Sequence, residues 1–242
     1  VGGRGGERVY ERFVLRLDGG CVPVVAMAPT SAGRAPATLL VSGEGMASVF
    51  TAAGRPGATA AALLRAGHRV LSIDPFLIGV AASTETAPFP VPGIAHFHTY
   101  NVVADAARVQ DVLTAIAYLR ERPDTSKIHL LGQDGAGLWC LLACALAGPR
   151  DVAATCADVS GFDFEEDWQS RCRIPAIRAA GDITTALALA APARVGVHGA
   201  SQGHRFPTAA ARRVYRAAGA GKALMVSSRR WTTATQVSWL QG

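Results

Sequence analysis

The sequence predicts an α/β fold in which an eight-stranded, mostly parallel sheet carries helices on both faces. Strand and helix signals alternate along almost the whole chain, and no repeat or low-complexity linker divides it. Half of the 242 residues are hydrophobic and 17% are charged, which supplies enough apolar material for a large core. We therefore expect residues 1–242 to form a single α/β domain. Whether that domain is part of a longer polypeptide stays open.

The predicted elements follow from hydrophobic periodicity and from the residues that end each segment. Gly19 and Gly20 separate the first two strands and predict a hairpin turn. The predicted strands are Val9–Leu17, Cys21–Met27, Ala37–Val41, Arg69–Ile73, Lys127–Leu131, Val152–Val159, Arg194–His198 and Ala223–Ser227. The predicted helices are Ala58–Ala66, Val102–Arg120, Ala136–Ala147, Asp182–Ala190, Ala209–Ala218 and Thr233–Leu240.

Charge and cysteine content exclude several classes of protein. The net charge is +6, but the arginines are scattered and form no basic patch, so we expect no nucleic-acid partner. No apolar run approaches the roughly 20 residues that span a bilayer, so we expect no membrane partner. Cys140 and Cys144 stand four residues apart on an apolar helix, where buried free thiols are more common than a bridge. The sequence implies no cofactor, and it leaves self-association and cellular compartment open.

The most informative motif follows the strand Lys127–Leu131, where the chain reads Gly-Gln-Asp-Gly-Ala-Gly from position 132 to 137. This is the layout of a nucleophile elbow, a sharp turn that lifts one side chain to the top of an α/β sheet. Small residues flank such a turn because strand and helix approach too closely for a Cβ. The raised position holds Asp134, where a serine is usual.

The strand count and the position of this turn resemble the α/β-hydrolase fold. Within that superfamily, four stretches resemble the acetylxylan esterase and dienelactone hydrolase-like group: Ala66–Asp74, Pro175–Ile183, Ala191–Arg194 and Gly199–Pro207. The resemblance implies carboxylic ester hydrolysis by a serine nucleophile. It also implies an acid after the seventh strand and a histidine after the eighth.

All three of those positions differ in this chain. Asp134 takes the nucleophile position, and no carboxylate lies between Gly199 and Phe206. The last strand is followed by Ser-Ser-Arg-Arg-Trp at positions 227–231, and no histidine occurs beyond His204. Three simultaneous replacements argue against ordinary Ser-His-Asp catalysis. We therefore predict a degenerate triad.

Three interpretations of Asp134 stay open. Its carboxylate is expected to tolerate the turn and to cap the helix beginning at Ala136. It is alternatively a ligand contact, or a nucleophile that forms an ester intermediate with His204 as a displaced base. His204 is otherwise a surface residue, and His198 at a strand end is expected to be a satisfied core residue. The pair His96 and His98 lacks a third ligand in the sequence, so no metal site is predicted.

The predicted substrate-binding residues surround the turn. Gly43, Glu44 and Gly45 follow the third strand, where their backbone N–H groups would join that of Gly135 in an oxyanion-hole-like pair. Gln133 and Arg230 complete the predicted set. Arg230 and its neighbour Arg229 occupy the position of the missing base, and an ion pair with Asp134 is the hypothesis for them.

The resulting functional prediction is an esterase-like protein, weak or inactive as an esterase, that binds a small ester or carbonyl ligand. One alternative is an active hydrolase of ester, epoxide or halide substrates with Asp134 as nucleophile. The other is a lyase or isomerase that uses the same pocket without a covalent step. Fold alone does not choose among them.

Overall fold

A computed structural model describes residues 2–5, 8–17, 20–29, 33–82, 93, 101–168, 171–202 and 206–242. His96, His98 and His204 lie outside these residues, as does most of the long segment that follows the strand ending at Ile73. No helix in the described ranges is both long enough and apolar enough to span a bilayer.

The described strands form one nine-stranded sheet in the order β1-β2-β3-β5-β4-β6-β7-β8-β9. The pairings β1/β2, β2/β3 and β3/β5 are antiparallel, and every other pairing is parallel. The strands are β1 (Gly2–Gly5), β2 (Arg8–Leu17), β3 (Gly20–Pro29), β4 (Ala35–Ser42), β5 (Arg69–Ile73), β6 (Thr125–Gln133), β7 (Val152–Asp158), β8 (Arg194–His198) and β9 (Leu224–Val226).

Six α-helices of the described chain cover the two faces of the sheet. The helices are α1 (Ala58–Arg65), α2 (Ala104–Glu121), α3 (Gly137–Ala147), α4 (Asp182–Leu189), α5 (Ala209–Ala217) and α6 (Thr233–Gln241). Helices α1 and α6 contact each other on one face, while α2 to α5 follow one another on the other. Two buried apolar clusters result, one under each helical layer.

The predicted eight-stranded sheet with helices on both faces is confirmed by strands β2 to β9. Strand β1 is an addition that the sequence did not predict, because its Gly-Gly-Arg-Gly segment has no alternation of apolar side chains. It pairs through its backbone, with Gly2 opposite Glu11 and Gly5 opposite Arg8. Leu17 pairs with Gly20, as the predicted hairpin requires, although residues 18 and 19 lie outside the described part.

Candidate functional site

The turn between β6 and α3 has the geometry of a nucleophile elbow. Asp134 adopts a left-handed backbone with φ of 52°, followed by Gly135 at 87°. A Cβ on Gly132 would lie 2.6 Å from the Cα of Gly137, so strand and helix meet too closely for larger residues. The side chain of Asp134 is exposed at the carboxyl edge of the sheet. In parallel α/β sheets this edge is where ligands bind.

The carboxylate of Asp134 is held by the end of β4, and it does not cap α3. The Ser42 hydroxyl donates to Asp134 Oδ2 at 3.0 Å. The N-cap residue of α3 is Ala136, and no side chain caps that helix. The predicted capping role is therefore wrong. The elbow directs the side chain of residue 134 across the sheet edge toward β4.

The turn after β4 uses its own N–H groups within the protein. Gly43 N donates to the Gln133 carbonyl at 3.1 Å, and Gly45 N donates to the Ser42 carbonyl at 3.1 Å. Glu44 N donates to Ser42 Oγ at 3.1 Å. These donors are thus not free to form the predicted oxyanion-hole-like pair. Among the described residues, the N–H of Gly135 has no backbone acceptor, and it remains the one candidate donor of that set.

A buried carboxylate joins the two loops that border the elbow. Asp74, at the end of β5, is 1% exposed. Its Oδ1 accepts from Met46 N at 2.6 Å, and its Oδ2 accepts from Val80 N at 2.8 Å. Gly45 and Gly79 both approach this carboxylate with positive φ, and a Cβ on either would collide with it. Asp74 therefore positions the loops after β4 and β5 relative to each other.

The loop after β5 is also fixed to helix α2. Phe76 N donates to Asp111 Oδ2 at 2.7 Å, and Arg108 Nε donates to the Phe76 carbonyl at 3.1 Å. Burial raises the pKa of Asp111 to about 6, against the hydrogen bond from Phe76, which lowers it. The start of this loop thus depends on a half-buried carboxylate of α2.

Arg230 pairs with a different aspartate. Its Nε lies 3.6 Å from Asp158 Oδ2 at the end of β7, and its guanidinium donates to Ser160 Oγ at 2.8 Å. Among the described residues, Asp134 takes part in no salt bridge, so its hypothetical ion pair with Arg229 or Arg230 is not formed. Arg230 does lie at the same sheet edge, and its contact with a ligand stays a prediction.

Gln133 is engaged on the α1 and α6 side of the sheet. Its Nε2 donates to Thr59 Oγ1 at 3.1 Å and lies 3.4 Å from Gln236 Oε1. Its carbonyl accepts from Gly43 and Ala136. The side chain therefore connects β6 to both helices of that face, and its substrate-binding role stays a prediction.

His198 is the satisfied core residue that the sequence predicted. It is 1% exposed, and its Nδ1 accepts from Trp231 N at 3.3 Å while its Nε2 lies 3.3 Å from Gln236 Nε2. Its ring stacks on Trp231 with a centroid distance of 5.2 Å. Burial lowers the pKa of His198 below its usual range, opposed by Asp158. Trp231 thus fills space beside the sheet where the resemblance had implied a catalytic histidine.

The remaining predicted residues are the histidines of two segments outside the described part of the chain. His204, the predicted displaced base, lies outside the described residues, so its distance to Asp134 is open. His96 and His98 also lie outside the described residues. In the described part of the chain, no group of three or more His, Cys, Asp or Glu residues could hold a metal ion.

A crevice of about 1090 Å³ opens at the carboxyl ends of β8 and β9. Its described lining includes Ser201, Phe206, Arg212, Arg213 and Ser228, and Asp134 is not part of that lining. The crevice gives this edge of the sheet room for a ligand at β8 and β9, which lie two and three strands away from the elbow strand β6.

Comparison with protein-family models and with curated proteins gives no match for this sequence. Solved structures do match. A glucuronoyl esterase from Solibacter usitatus superposes with a TM-score of 0.59 at 18% identity, covering 89% of this chain and 71% of its own. A protein described as an acetyl xylan esterase, from Bacteroides fragilis, gives a TM-score of 0.69 at 12% identity, covering 95% and 68%. One described as a dienelactone hydrolase, from Klebsiella pneumoniae, gives 0.59 at 15% identity, covering 97% and 98%.

The strand order, the elbow and these matches define the class: the chain has the α/β-hydrolase fold. Its structural neighbours are esterases and a dienelactone hydrolase, the group that the sequence stretches resembled. At identities below 20% these matches establish the fold alone, because proteins of one fold carry out different activities that depend on the residues of the site.

Sequence reasoning missed three contributors to this edge: Asp74, Asp158 and Ser160. Each lies at or just after the carboxyl end of a parallel strand, where polar side chains of different strands converge. That position is the signal that could have identified them. Their partners could not have been identified, because the Arg230 hydrogen bond to Ser160 spans 70 residues of sequence.

Proposed function

We propose that this chain is an esterase-type α/β-hydrolase domain that binds a small ester or carbonyl ligand at the elbow without Ser-His-Asp catalysis. The observation that carries the proposal is the elbow itself, where an exposed Asp134 replaces the serine and its carboxylate is held by Ser42. The N–H of Gly135 supports a carbonyl ligand, because a carbonyl oxygen is the acceptor that such a donor binds.

No imidazole among the described residues hydrogen-bonds to Asp134, which supports a binding role over turnover. Ester hydrolysis through an acyl or alkyl intermediate needs a base to activate water. Trp231 follows the last strand, and the buried nitrogens of His198 are both engaged. Neither supplies a base to Asp134.

The test combines hydrolysis and binding on the same proteins. Wild type, Asp134→Asn and the surface control Asp151→Asn are assayed on an activated acetate ester, then by thermal shift against small esters and ketones. We expect no enzyme-like turnover by any of them. Ligand stabilisation should be present in wild type and in Asp151→Asn and reduced in Asp134→Asn. Turnover by wild type that Asp134→Asn abolishes would refute the proposal.

The exposure of Asp134 on a left-handed turn specifically favours one other function, covalent hydrolysis with this aspartate as nucleophile. Asp134 Oδ would attack an electrophilic carbon and displace the leaving group. Water would then attack the carboxyl carbon of the enzyme ester. In single turnover in H₂¹⁸O, one ¹⁸O would enter the Asp134 carboxylate, which mass spectrometry of the peptide detects. Label in the product alone contradicts this route.

A further inference from the structure

A second cavity lies at the amino-terminal edge of the sheet, opposite to the elbow. Its volume is about 430 Å³. It is bordered by the first residues of β4, β6, β7 and β8 and by the ends of α1 and α6. We name it the amino-edge cavity; its lining includes Pro36, His68, Lys127, His129, Arg194 and Gln241.

An unpartnered imidazole forms part of the cavity wall. His129 on β6 is 5% exposed, and neither of its ring nitrogens has a hydrogen-bond partner among the described residues. The His68 ring meets it edge-on with a centroid distance of 5.3 Å. His68 Nδ1 is itself engaged by Thr38 Oγ1 at 2.8 Å. Buried polar groups normally have partners, so His129 points to a hydrogen-bonding group that the described residues do not supply.

The charged side chains that line the cavity in the described part of the chain are positive. Lys127 is exposed, and Arg194 is half-buried with its guanidinium carbon 4.5 Å from the centre of the Trp239 ring. In the described part of the chain neither residue forms a salt bridge, and no Asp or Glu side chain lines the cavity. Two imidazoles alone would suit a transition metal, but two unpaired cations beside them repel one. This arrangement favours an anion.

The helix carboxyl ends beside the cavity set a second requirement for a ligand. Ala66 at the end of α1 and Leu240 and Gln241 at the end of α6 line the same cavity. The carboxyl end of a helix carries a partial negative charge, which favours hydrogen-bond donors. At the end of α1 the carbonyls of Leu63 and Leu64 already accept from His68 N and Gly67 N, so this charge, and not a free carbonyl of those two residues, is what a ligand meets there. A ligand that satisfies both sets of groups therefore carries an anionic group and hydroxyls.

We propose that the amino-edge cavity binds a small hydroxylated anion, with its phosphate or carboxylate on Lys127 and Arg194 and a hydroxyl on His129. The site lies at the opposite edge of the sheet from Asp134. It stands independently of the function proposed for the elbow.

The test is calorimetric titration of the full chain at constant ionic strength with glucose 6-phosphate, gluconate, inorganic phosphate and glucose. We expect one or both hydroxylated anions to bind, inorganic phosphate to bind about tenfold more weakly, and glucose not to bind. The preferred hydroxylated anion tells whether the natural ligand is a phosphate or a carboxylate. Failure of both to bind would overturn the proposal.

Variants locate the binding. Lys127→Met and Arg194→Gln should each weaken binding about tenfold or more, whereas Arg229→Gln, which removes a charge from the opposite edge, should leave it unchanged. Equal weakening by all three would show diffuse electrostatics and overturn the site. Because Arg194 also packs on Trp239, ring ¹⁵N spectra of wild type provide a second readout. The His129 nitrogens should shift on saturation, and Zn²⁺ shifting them instead would overturn the choice of an anion.

Discussion

Residue 134 has a backbone conformation that few side chains tolerate. A left-handed φ is several-fold enriched for Asn and Asp and is strained for β-branched residues. At 52° the position accepts Asp134 without the cost that a valine would incur. The hydrogen bond from Ser42 then fixes the carboxylate over the end of β4. Backbone tolerance and side-chain anchoring thus explain why an aspartate suits this turn.

This geometry makes a prediction about stability. Asp134→Asn keeps both the backbone tolerance and an acceptor for Ser42, so its free energy of unfolding should change by less than about 0.5 kcal/mol. Asp134→Val should lose about 2 kcal/mol through backbone strain. Urea denaturation measures both. Asp151→Val, at a position without positive φ, is the matched control, and an equal loss there would contradict the strain argument.

His129 makes a second prediction, on the dependence of stability on pH. Burial, together with the nearby positive charges of His68, Lys127 and Arg194, lowers the pKa of its imidazole from 6.5 to about 4. Below pH 6.5 the imidazole of His129 is protonated in the unfolded chain, whereas in the folded chain it stays neutral until the pH approaches 4. The free energy of unfolding should therefore be unaffected by this group above pH 6.5. As the pH falls below 6.5, the free energy of unfolding should decrease, by about 3 kcal/mol near pH 4.

Denaturant titrations between pH 8 and pH 4 test this dependence. In His129→Leu the free energy of unfolding should decrease much less on acidification than in wild type. A smaller decline should remain, because burial also lowers the pKa values of His68 and His198. An unchanged decline in the variant would show that the acid sensitivity lies elsewhere.

At the scale of elements, the carboxyl edge is organised by hydrogen bonds between loops. Asp74 accepts from the loop after β4 and from the loop after β5, with one oxygen for each. Asp158 similarly accepts from Ser160 N and pairs with Arg230, which joins the ends of β7 and β9. The strands themselves need none of these contacts. They determine instead where each loop lies above the sheet.

Asp74→Asn tests this arrangement. An amide has one acceptor oxygen, so either Met46 N or Val80 N should lose its partner, at a cost of about 1–3 kcal/mol for a buried donor. Hydrogen exchange should show reduced protection of those two amides, with the centre of the sheet unaffected. Asp151→Asn, a partly exposed carboxylate paired with Arg120, should change neither amide. Uniform loss of protection across the sheet would instead indicate global destabilisation.

At the scale of the whole molecule, the sheet could be predicted because its signals are local. The apolar run of β5 and the turn glycines of the elbow carry their own periodicity and spacing. The site could be predicted only in part. Ser42 is 92 residues from Asp134, and the choice between that hydroxyl and the helix end as partner depends on three-dimensional placement. Likewise, nothing local to Arg230 shows that Asp158 is its partner.

The reactivity of the cysteines tests the packing of the whole chain. Of the five thiols, Cys21 is exposed, and the other four are buried and free of disulfides. Burial raises the pKa of each buried thiol, that of Cys144 to about 11 and that of Cys172 to about 12. The thiolate is the reactive form. These four thiols should therefore react slowly, because reagents cannot reach them and because they stay protonated.

Ellman's reagent should therefore titrate one thiol in the native protein and five in denaturant. Cys21→Ser should abolish the fast native reaction and leave the slow one, whose rate then reports opening of the core around α3 and β7. Cys140, Cys144 and Cys156 lie in that region, so they should become reactive together if the sheet and its helix open as one unit. Faster reaction of Cys140 and Cys144 than of Cys156 would show that helix α3 detaches before the sheet opens.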